Sequence, residues 1–311
     1  MRIDVHHHAI FPDYMSRLAG LGIGAQPGIP LPGWSAADSL AMMDRLGIDL
    51  AVLSVGSPGF YFGDAGLARE LCRKTNDDLA ATVGAHPRRF RAFVALPLPS
   101  VEDALAELDR VAAGEAFVGI GLLTNYAGRY LGDPAFDPVL EELDRRGSVV
   151  HVHPTLPAHY PAAEIDLRPS LIEYVFDSTR ALVNLTLNGV HHRFPGITWI
   201  FSHCGGTAPY LAGRLAIAEP LPELARVGDG GVHGAMRSFH YDIALATTPY
   251  ALGSVEQLVG AERLLIGSDF PFVDERTVRA CLAEAAEVLG AGPMDTVARE
   301  NPARLFPTLT N

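Results

Sequence analysis

Eight strand-like runs alternate with helix-like segments along the 311 residues, and this alternation predicts an α/β fold that closes into a (β/α)8 TIM barrel. Two further observations support the barrel. Runs such as residues 50–55 are continuously apolar, as expected for parallel strands that are covered on both faces. No glycine-rich phosphate loop follows the first run, so the alternative, an open doubly wound sheet that binds nucleotides, is less favoured.

The apolar alternation that begins at Ile3 predicts a short first strand. Residues 9–35 are rich in glycine and proline, which predicts a long loop after this strand that forms a lid or a substrate wall. Ser35 and Asp38 resemble a capping box at the start of a helix that ends near Leu46. The other strands are predicted at residues 50–55, 90–96, 117–123, 148–153, 197–203, 239–245 and 263–269. The helices between them are predicted at residues 65–85, 101–112, 136–146 and 170–192, from residue 209, and at 249–259.

Composition limits the classes of function. The chain has 48% hydrophobic and 19% charged residues, as in globular enzymes, and no linker divides it, so we expect one domain over residues 1–311. A net charge of −12 without a basic tract argues against nucleic-acid binding. We see no secretory signal and no apolar span long enough to cross a membrane. Three widely spaced cysteines do not suggest a disulfide framework, so we expect a cytoplasmic protein.

The first strand carries the run Asp4-Val5-His6-His7-His8. Side chains alternate between the two faces of a strand, so His6 and His8 should project to one face and His7 to the other. Two imidazoles on one face can bind a single metal ion. The first strand is therefore a candidate metal-binding element.

Reactive groups in a barrel of this kind gather where the strands end. The fifth, sixth and eighth predicted strands end at His153, His203 and Asp269. With the histidines of the first strand, they would bring four imidazoles and one carboxylate to one mouth of the barrel. This set suits Zn2+ or another divalent first-row metal. His151 faces the same side as His153 but lies deeper, so it remains open as a further ligand.

Four segments are similar to signature segments of the amidohydrolase superfamily. They are residues 4–8 (DVHHH), 153–154 (HP), 201–206 (FSHCGG) and 267–272 (GSDFPF). Within the superfamily, the chain most resembles the amidohydrolase-related branch. That branch includes aminocarboxymuconate-semialdehyde, gamma-resorcylate and 6-methylsalicylate decarboxylases, and the last of these is the most similar type. The resemblance extends over essentially the whole chain.

The resemblance implies four metal ligands and one histidine beside them. The ligands would be His6, His8, His153 and Asp269. His203 would hold a water or a substrate oxygen next to the metal. Superfamily members with two metals bridge them with a carboxylated lysine at a strand end, but Lys74, the only lysine here, lies in a predicted helix. We therefore expect one divalent metal ion, Zn2+ or, as the alternative, Mn2+.

Two reactions can use this ligand set. In the favoured one, a decarboxylation, the metal orients a small aromatic carboxylic acid of the ortho-hydroxybenzoate type and Asp269 protonates the ring carbon. In the alternative, a metal-dependent hydrolase, Asp269 takes a proton from a metal-bound water that attacks an ester, lactone or amide. We expect Asn125, Trp34 and Phe270 to contact the substrate, the two aromatic residues by flanking a flat ring. The resemblance also implies a homodimer.

Overall fold

A barrel of eight parallel strands forms the centre of the fold in the computed structural model, which describes residues 1–27, 29–112, 114–160, 166–222 and 226–309. In chain order the barrel strands are β1 (Ile3–His8), β2 (Leu50–Ser54), β3 (Phe90–Ala95), β4 (Phe117–Leu123), β7 (Val149–His153), β8 (Thr198–Phe201), β9 (His240–Asp242) and β10 (Leu264–Leu265). Each of them pairs with the next in this order. A separate antiparallel hairpin of β5 (Asn125–Tyr126) and β6 (Arg129–Tyr130) follows β4. The predicted (β/α)8 barrel is confirmed.

Backbone hydrogen bonds join the segment after β10 to β1 and complete the ring of strands. The N–H of Val5 donates to the carbonyl of Ile266 at 3.1 Å, and the N–H of Asp269 donates to the carbonyl of His6 at 2.8 Å. Two segments from opposite ends of the sequence are therefore neighbours in the barrel wall. This closure places Asp269 next to the histidines of β1.

Helices cover the outside of the barrel. They are α1 (Pro12–Gly20), α2 (Ala36–Leu46), α3 (Ala65–Ala85), α4 (Val101–Val111), α5 (Asp137–Arg145), α6 (Glu173–Leu187), α7 (Val190–Arg193), α8 (Ala208–Ile217), α9 (Gly231–Ser238), α10 (Leu252–Val259), α11 (Glu275–Leu289), α12 (Ala291–Asp295) and α13 (Asn301–Leu305). At the start of α2, the side chain of Ser35 accepts a hydrogen bond from the N–H of Asp38, as the sequence predicts. Within the described ranges, no helix combines the length and apolar character that a membrane span requires.

The segment predicted as a loop over residues 9–35 contains helix α1, which the prediction lacked. Pro12 begins this helix, and Tyr14 and Leu18, one turn apart, are buried. The amphipathic pattern of α1 is only nine residues long, and the many glycines that follow it hide it in the sequence. The rest of the segment supplies a wall of the cavity described below.

Two other parts of the chain differ from the prediction. The predicted helix 170–192 is divided into α6 and α7, because Gly189 adopts a left-handed conformation with φ 62°. The helices after residue 269 were not predicted at all. Among them α11 is the eighth helix of the barrel, and Phe306, after α13, is buried with Ile3 and Phe93 in an apolar cluster.

Strand β1 changes register against β2 between Asp4 and His7. Before this irregularity, Ile3 and Val5 belong to the apolar cluster that also contains Phe93. The side chains of Asp4 and His7 meet each other, with Asp4 Oδ2 3.0 Å from His7 Nδ1. A local register shift re-aims the side chains around it. Here it allows apolar residues at one end of the strand and the histidines predicted to bind metal at the other.

Asn76, on α3, connects that helix to β3 and α4. Its Oδ1 accepts the N–H of Ala95 at 2.9 Å, and its Nδ2 donates to the Ala95 carbonyl at 3.0 Å and to Glu107 Oε1 at 2.7 Å. The side chain is buried, so water cannot replace these bonds without reorganisation. Asn76 therefore holds two helices against one strand.

Replacing Asn76 with alanine should lower the free energy of unfolding by about 2–4 kcal/mol, because the N–H of Ala95 loses its buried acceptor. Urea denaturation followed by circular dichroism would measure the change. Arg73→Ala, at an exposed position on the same helix, is the control and should change stability by no more than about 0.5 kcal/mol. Equal urea midpoints for the two variants would contradict this role.

Candidate metal centre

Four side chains predicted as metal ligands converge at the mouth of the barrel. His6, His8, His153 and Asp269 each offer one ligand atom, and these atoms lie within 4.8 Å of one another. The Nε2 atoms of His6 and His8 are 3.0 Å apart, and Asp269 Oδ1 lies 3.3 Å and 3.0 Å from them, respectively. All four residues are buried. The convergence of the strand ends therefore brings together residues that are scattered through the sequence.

Hydrogen bonds at Nδ1 orient the imidazoles so that Nε2 faces the centre. The Nδ1 of His153 donates to the Pro154 carbonyl at 2.8 Å, and the Nδ1 of His203 donates to the Ala244 carbonyl at 2.8 Å. Because a carbonyl only accepts, Nδ1 must carry the proton, and Nε2 keeps its lone pair when the ring is neutral. A lone pair at Nε2 is what a metal ligand requires. Both rings therefore present an Nε2 lone pair that can be donated to a metal ion or another electron-pair acceptor.

Asp242, at the end of β9, was not assigned a role from the sequence, yet it contacts several residues of the centre. Its Oδ2 accepts from His6 Nδ1 at 3.0 Å and from His151 Nε2 at 2.9 Å. Its Oδ1 accepts the backbone N–H of His203 at 3.2 Å and that of Ala244 at 3.1 Å. The predicted strand 239–245 placed Asp242 in mid-strand, whereas β9 ends at Asp242, so the strand-end rule did not identify it.

Two turns at the mouth of the barrel, at His203 and Asp269, use unusual backbone conformations. His203 and Asp269 have φ values of 52° and 56°, in the left-handed region that non-glycine residues rarely adopt. This conformation costs about 1–2 kcal/mol per residue. Two glycines leave room for these histidines: a Cβ on Gly267, before Asp269, would lie 2.7 Å from His6 Cβ, and a Cβ on Gly56, after β2, would lie 2.7 Å from His8 Cε1. The backbone is therefore shaped to bring side chains close together.

The charges around the centre favour a cation. Burial disfavours a proton on His6, but Asp242 and Asp269 outweigh this and raise the pKa of His6 to about 10. Burial and the nearby charge of His6 lower the pKa of His8 to about 4 and hold that of His153 well below its usual range. Burial would raise the pKa of both carboxyls, yet the imidazoles keep the pKa of Asp242 and Asp269 well below normal. Two buried anions thus stabilise a positive charge at His6, while His8 and His153 remain neutral and offer lone pairs.

This donor set fits one divalent transition-metal ion. Three imidazole nitrogens and one carboxylate oxygen can approach a common point, and both Zn2+ and Mn2+ accept such mixed ligands. Lys74, the only lysine in the chain, pairs with Asp78 on the exposed side of α3 at 2.5 Å. It therefore does not bridge two metals in this centre.

A cavity of about 750 Å3 opens directly onto the ligands His153 and Asp269 and onto His203. One wall comes from the segment after β1, through residues that include Gln26, Ile29 and Pro32. This agrees with the predicted substrate wall. Other lining residues are Ser57, Tyr174, Leu171, Val175, Leu245 and Phe272. The walls are mainly apolar, with a few hydroxyl groups, which is typical of sites for small organic ligands.

Tyr174 and Ser57 form a polar pair inside this cavity. The Tyr174 hydroxyl donates to Ser57 Oγ at 2.8 Å, and Ser57 Oγ lies 3.1 Å from Thr155 Oγ1. The ring of Tyr174 lies 6.5 Å from that of His153, measured between centroids. Two hydroxyl groups are therefore available next to the metal ligands.

Trp34 and Phe270, predicted to flank the substrate, lie beside His7. His7 Nε2 and Trp34 Nε1 both contact the Ser39 hydroxyl at 2.8 Å, and the rings of His7 and Phe270 are 5.3 Å apart. Neither aromatic residue is among the described residues that line the cavity. Their substrate contacts remain a prediction. His7 faces away from the centre, as the alternation predicts, although it is buried.

Asn125 and His151 also have other partners. The amide of Asn125 donates to Asp177 Oδ2 at 3.1 Å, and in the described part of the chain Asn125 does not line the cavity. His151 turns its Nε2 towards Asp242 and stacks on Phe93 with ring centroids 5.4 Å apart. It therefore lies beneath the ligands, and it supports Asp242 instead of completing the ligand group.

The family model described as Amidohydrolase matches residues 3–308, which is nearly the entire chain. This chain belongs to the amidohydrolase family. The family predicted from the four sequence segments is thereby confirmed.

Named relatives of this amidohydrolase are decarboxylases. Decarboxylase yanB of Aspergillus niger is 33% identical over 98% of this chain and 87% of its own length. The 6-methylsalicylic acid decarboxylase acuB of Aspergillus aculeatus is 31% identical over 99% of this chain and 97% of its own. A crystal structure of dihydroxybenzoic acid decarboxylase from Polaromonas sp. JS666, with bound manganese and the inhibitor 2-nitroresorcinol, has a TM-score of 0.85. It is 20% identical and covers 100% of this chain and 98% of that chain.

Replacing Asp242 with asparagine should weaken the binding of Zn2+ and of Mn2+ by about 10- to 100-fold, because His6 loses the anion that orients its ring. Competition with a chromogenic chelator would measure the dissociation constants. Asp177→Asn is the matched control, since Asp177 is also buried but hydrogen-bonds to Thr124, Asn125 and Tyr130. A folded Asp242→Asn variant that binds metal as tightly as the control would exclude this orienting role.

Proposed function

We propose that this amidohydrolase is a metal-dependent, non-oxidative decarboxylase of a small aromatic acid of the ortho-hydroxybenzoate type. The observation that carries the proposal is the position of Asp269. Its carboxylate contacts the Nε2 atoms of His6 and His8 and also lines the apolar cavity, so one group reaches both the metal site and the substrate space. The names of relatives at 31–33% identity, which include a 6-methylsalicylic acid decarboxylase, support this reaction class.

One divalent ion is the proposed cofactor, held by His6, His8, His153 and Asp269. We propose Zn2+, with Mn2+ as the alternative, because mixed nitrogen and oxygen ligands suit both ions. When bound, the ion would supply positive charge that orients the substrate's carboxylate and hydroxyl oxygens. His203 supports the same orientation, since its Nε2 lies 4.0 Å from Asp269 Oδ2 and faces the cavity.

Asp269 is the proposed proton donor to the ring carbon that bears the carboxylate. Its pKa is well below the usual range, because nearby His6, His8 and His203 outweigh the effect of burial. Asp269 is therefore ionised at rest and has to take up a proton, from the substrate's own acidic group or from water, before it can donate one. After protonation of the ring carbon, the bond to the carboxylate breaks. Its electron pair restores the aromatic ring, and carbon dioxide leaves.

The apolar walls of the cavity suit a flat ring, and the hydroxyls of Tyr174 and Ser57 suit its polar substituents. A hydrogen bond from a buried hydroxyl would fix the ring in one orientation. Trp34, Phe270 and Asn125 remain proposed substrate contacts. Asn125 would influence the substrate indirectly, through its hydrogen bond to Asp177. Asp177 also accepts a hydrogen bond from Tyr130 at 2.6 Å.

Replacing Asp269 with asparagine should reduce carbon dioxide release by at least about 100-fold in metal-loaded protein, because the amide cannot deliver the proton. The assay offers ortho-hydroxybenzoates, including 6-methylsalicylate, beside simple esters and lactones. Metal content is measured for each preparation, and Asp229→Asn, at an exposed position, is the control. Ester or lactone cleavage without carbon dioxide release from any acid would assign the protein to the hydrolases instead. Substantial decarboxylation by metal-loaded Asp269→Asn would remove the proton role.

We also propose that the chain forms a homodimer through an apolar patch at the cavity mouth. The patch consists of Leu171, Tyr210, Leu245 and Tyr250, which are exposed and line the cavity mouth, and of Ile217, two turns from Tyr210 on α8. Ile217 is 82% exposed and Tyr250 is 87% exposed. Clustered apolar side chains on a surface are typical of protein interfaces.

We propose a cytoplasmic location for this protein. Its three cysteines, Cys72, Cys204 and Cys281, are free, which supports this location.

Replacing Ile217 with glutamate should shift the protein from dimer to monomer, because a charge would be buried in the interface. Light scattering after size-exclusion chromatography would give the mass of each species. Ala280→Glu, at an exposed position on α11 outside the patch, should leave the mass unchanged. A wild-type mass equal to that of one chain would reject the dimer.

A further inference from the structure

A second cavity, of about 420 Å3, lies at the base of the barrel. Four of its lining residues are arginines: Arg2, Arg45, Arg279 and Arg299. Arg2 directly precedes β1, whereas His8 ends that strand at the metal centre. A strand rises about 3.3 Å per residue, so roughly 20 Å separates these two levels. The cavity is therefore distinct from the site of the proposed reaction.

The arginines of this cavity outnumber the carboxylates that pair with them. Glu275 accepts from both Arg45, at 2.7 Å, and Arg279, at 2.9 Å. Asp295 pairs with Arg299 at 2.9 Å. Four guanidinium groups thus meet two carboxylates, in a protein whose net charge is −12. Each guanidinium carries five N–H donors, so most of these donors are left for other acceptors.

Arg2 is the least satisfied member of the group. Its backbone N–H donates to Asp49 Oδ2 at 2.5 Å, and its Nη1 donates to the Leu46 carbonyl at 3.3 Å. Its Nε is buried, and no acceptor for it exists among the residues that the structure describes. Burial and then the charge of Arg299 lower the pKa of Arg2, against the opposing effects of Asp4 and Asp49. An unpaired buried donor beside a like charge is unfavourable unless an anion joins them.

The remaining lining residues of the cavity are mostly apolar. They include Leu46, Leu282, Ala286, Met294 and Ala298. An inorganic anion would use the guanidinium groups but leave this apolar surface uncovered. An anion with an apolar body would use both.

We propose that this cavity binds a small organic anion whose phosphate or carboxylate group is held by Arg2 and Arg299 and whose apolar body lies against Leu282 and Met294. The planar guanidinium group forms paired hydrogen bonds with either kind of anion. The site does not depend on the proposed decarboxylation, because none of its residues belongs to the metal centre or its cavity.

Isothermal titration calorimetry on metal-loaded protein with inorganic phosphate, phenyl phosphate and benzoate would test this site. The better of the two aromatic anions should bind at least about tenfold more tightly than inorganic phosphate, because its ring covers apolar surface. Whichever of the two binds more tightly identifies the charged group. No binding of any probe at millimolar concentration, or tightest binding of inorganic phosphate, would overturn the proposal.

Arginine variants locate the bound probe. Arg2→Gln and Arg299→Gln should each weaken binding of the better aromatic anion by about tenfold or more. Arg299→Lys, which retains the charge if the glutamine variant is unstable, should weaken binding less than Arg299→Gln. Arg237→Gln is the control, since Arg237 is an exposed residue of α9. Unchanged binding in folded Arg2 and Arg299 variants would place the probe elsewhere and reject this site.

Discussion

The two oxygens of Asp242 accept hydrogen bonds from His6, His151 and the backbone of His203, three residues that come from three different strands or their ends. A fully buried carboxylate is costly unless such donors surround it, so these groups cannot move apart independently. The arrangement fixes the ring of His6 and the turn that carries His203. One buried carboxylate beneath the proposed metal ligands therefore fixes several groups of the candidate centre.

The ligands themselves join distant parts of the chain. His6 and His8 belong to the first strand, His153 to the fifth barrel strand, and Asp269 follows the last. An ion held by all four would add a further connection between these elements. This coupling links the stability of the barrel to occupancy of the site, because binding to the folded state alone stabilises that state. The positive charge of such an ion would also offset the negative charge of the two buried carboxylates, Asp242 and Asp269.

Much of this organisation could be predicted from the sequence, because it depends on the spacing of apolar residues and on which residues stand at the strand ends. Apolar runs gave the eight strands, and the strand-end rule gave His153 and Asp269. Asp242 was missed because a single aspartate carries no spacing signal, and its partners are adjacent only after the barrel closes. Helix α1 was missed because its amphipathic pattern is only nine residues long. The hydrogen bond from Trp34 to Ser39 depends on tertiary packing, which the local sequence pattern does not encode.

His203, Leu245 and Asp269 all adopt the left-handed backbone conformation, and each follows a strand of the barrel. Glycine would adopt this conformation without steric cost, so the larger residues at these positions lower the free energy of unfolding. For His203 and Asp269 the side chains give the reason. Selection for thermal resistance alone would favour glycine at these turns and would remove the reactive groups. At the mouth of this barrel, residues that lower the folding stability are therefore the ones that carry the reactive side chains. Leu245, which is exposed, is the position where a substitution can raise the folding stability without removing a proposed catalytic group.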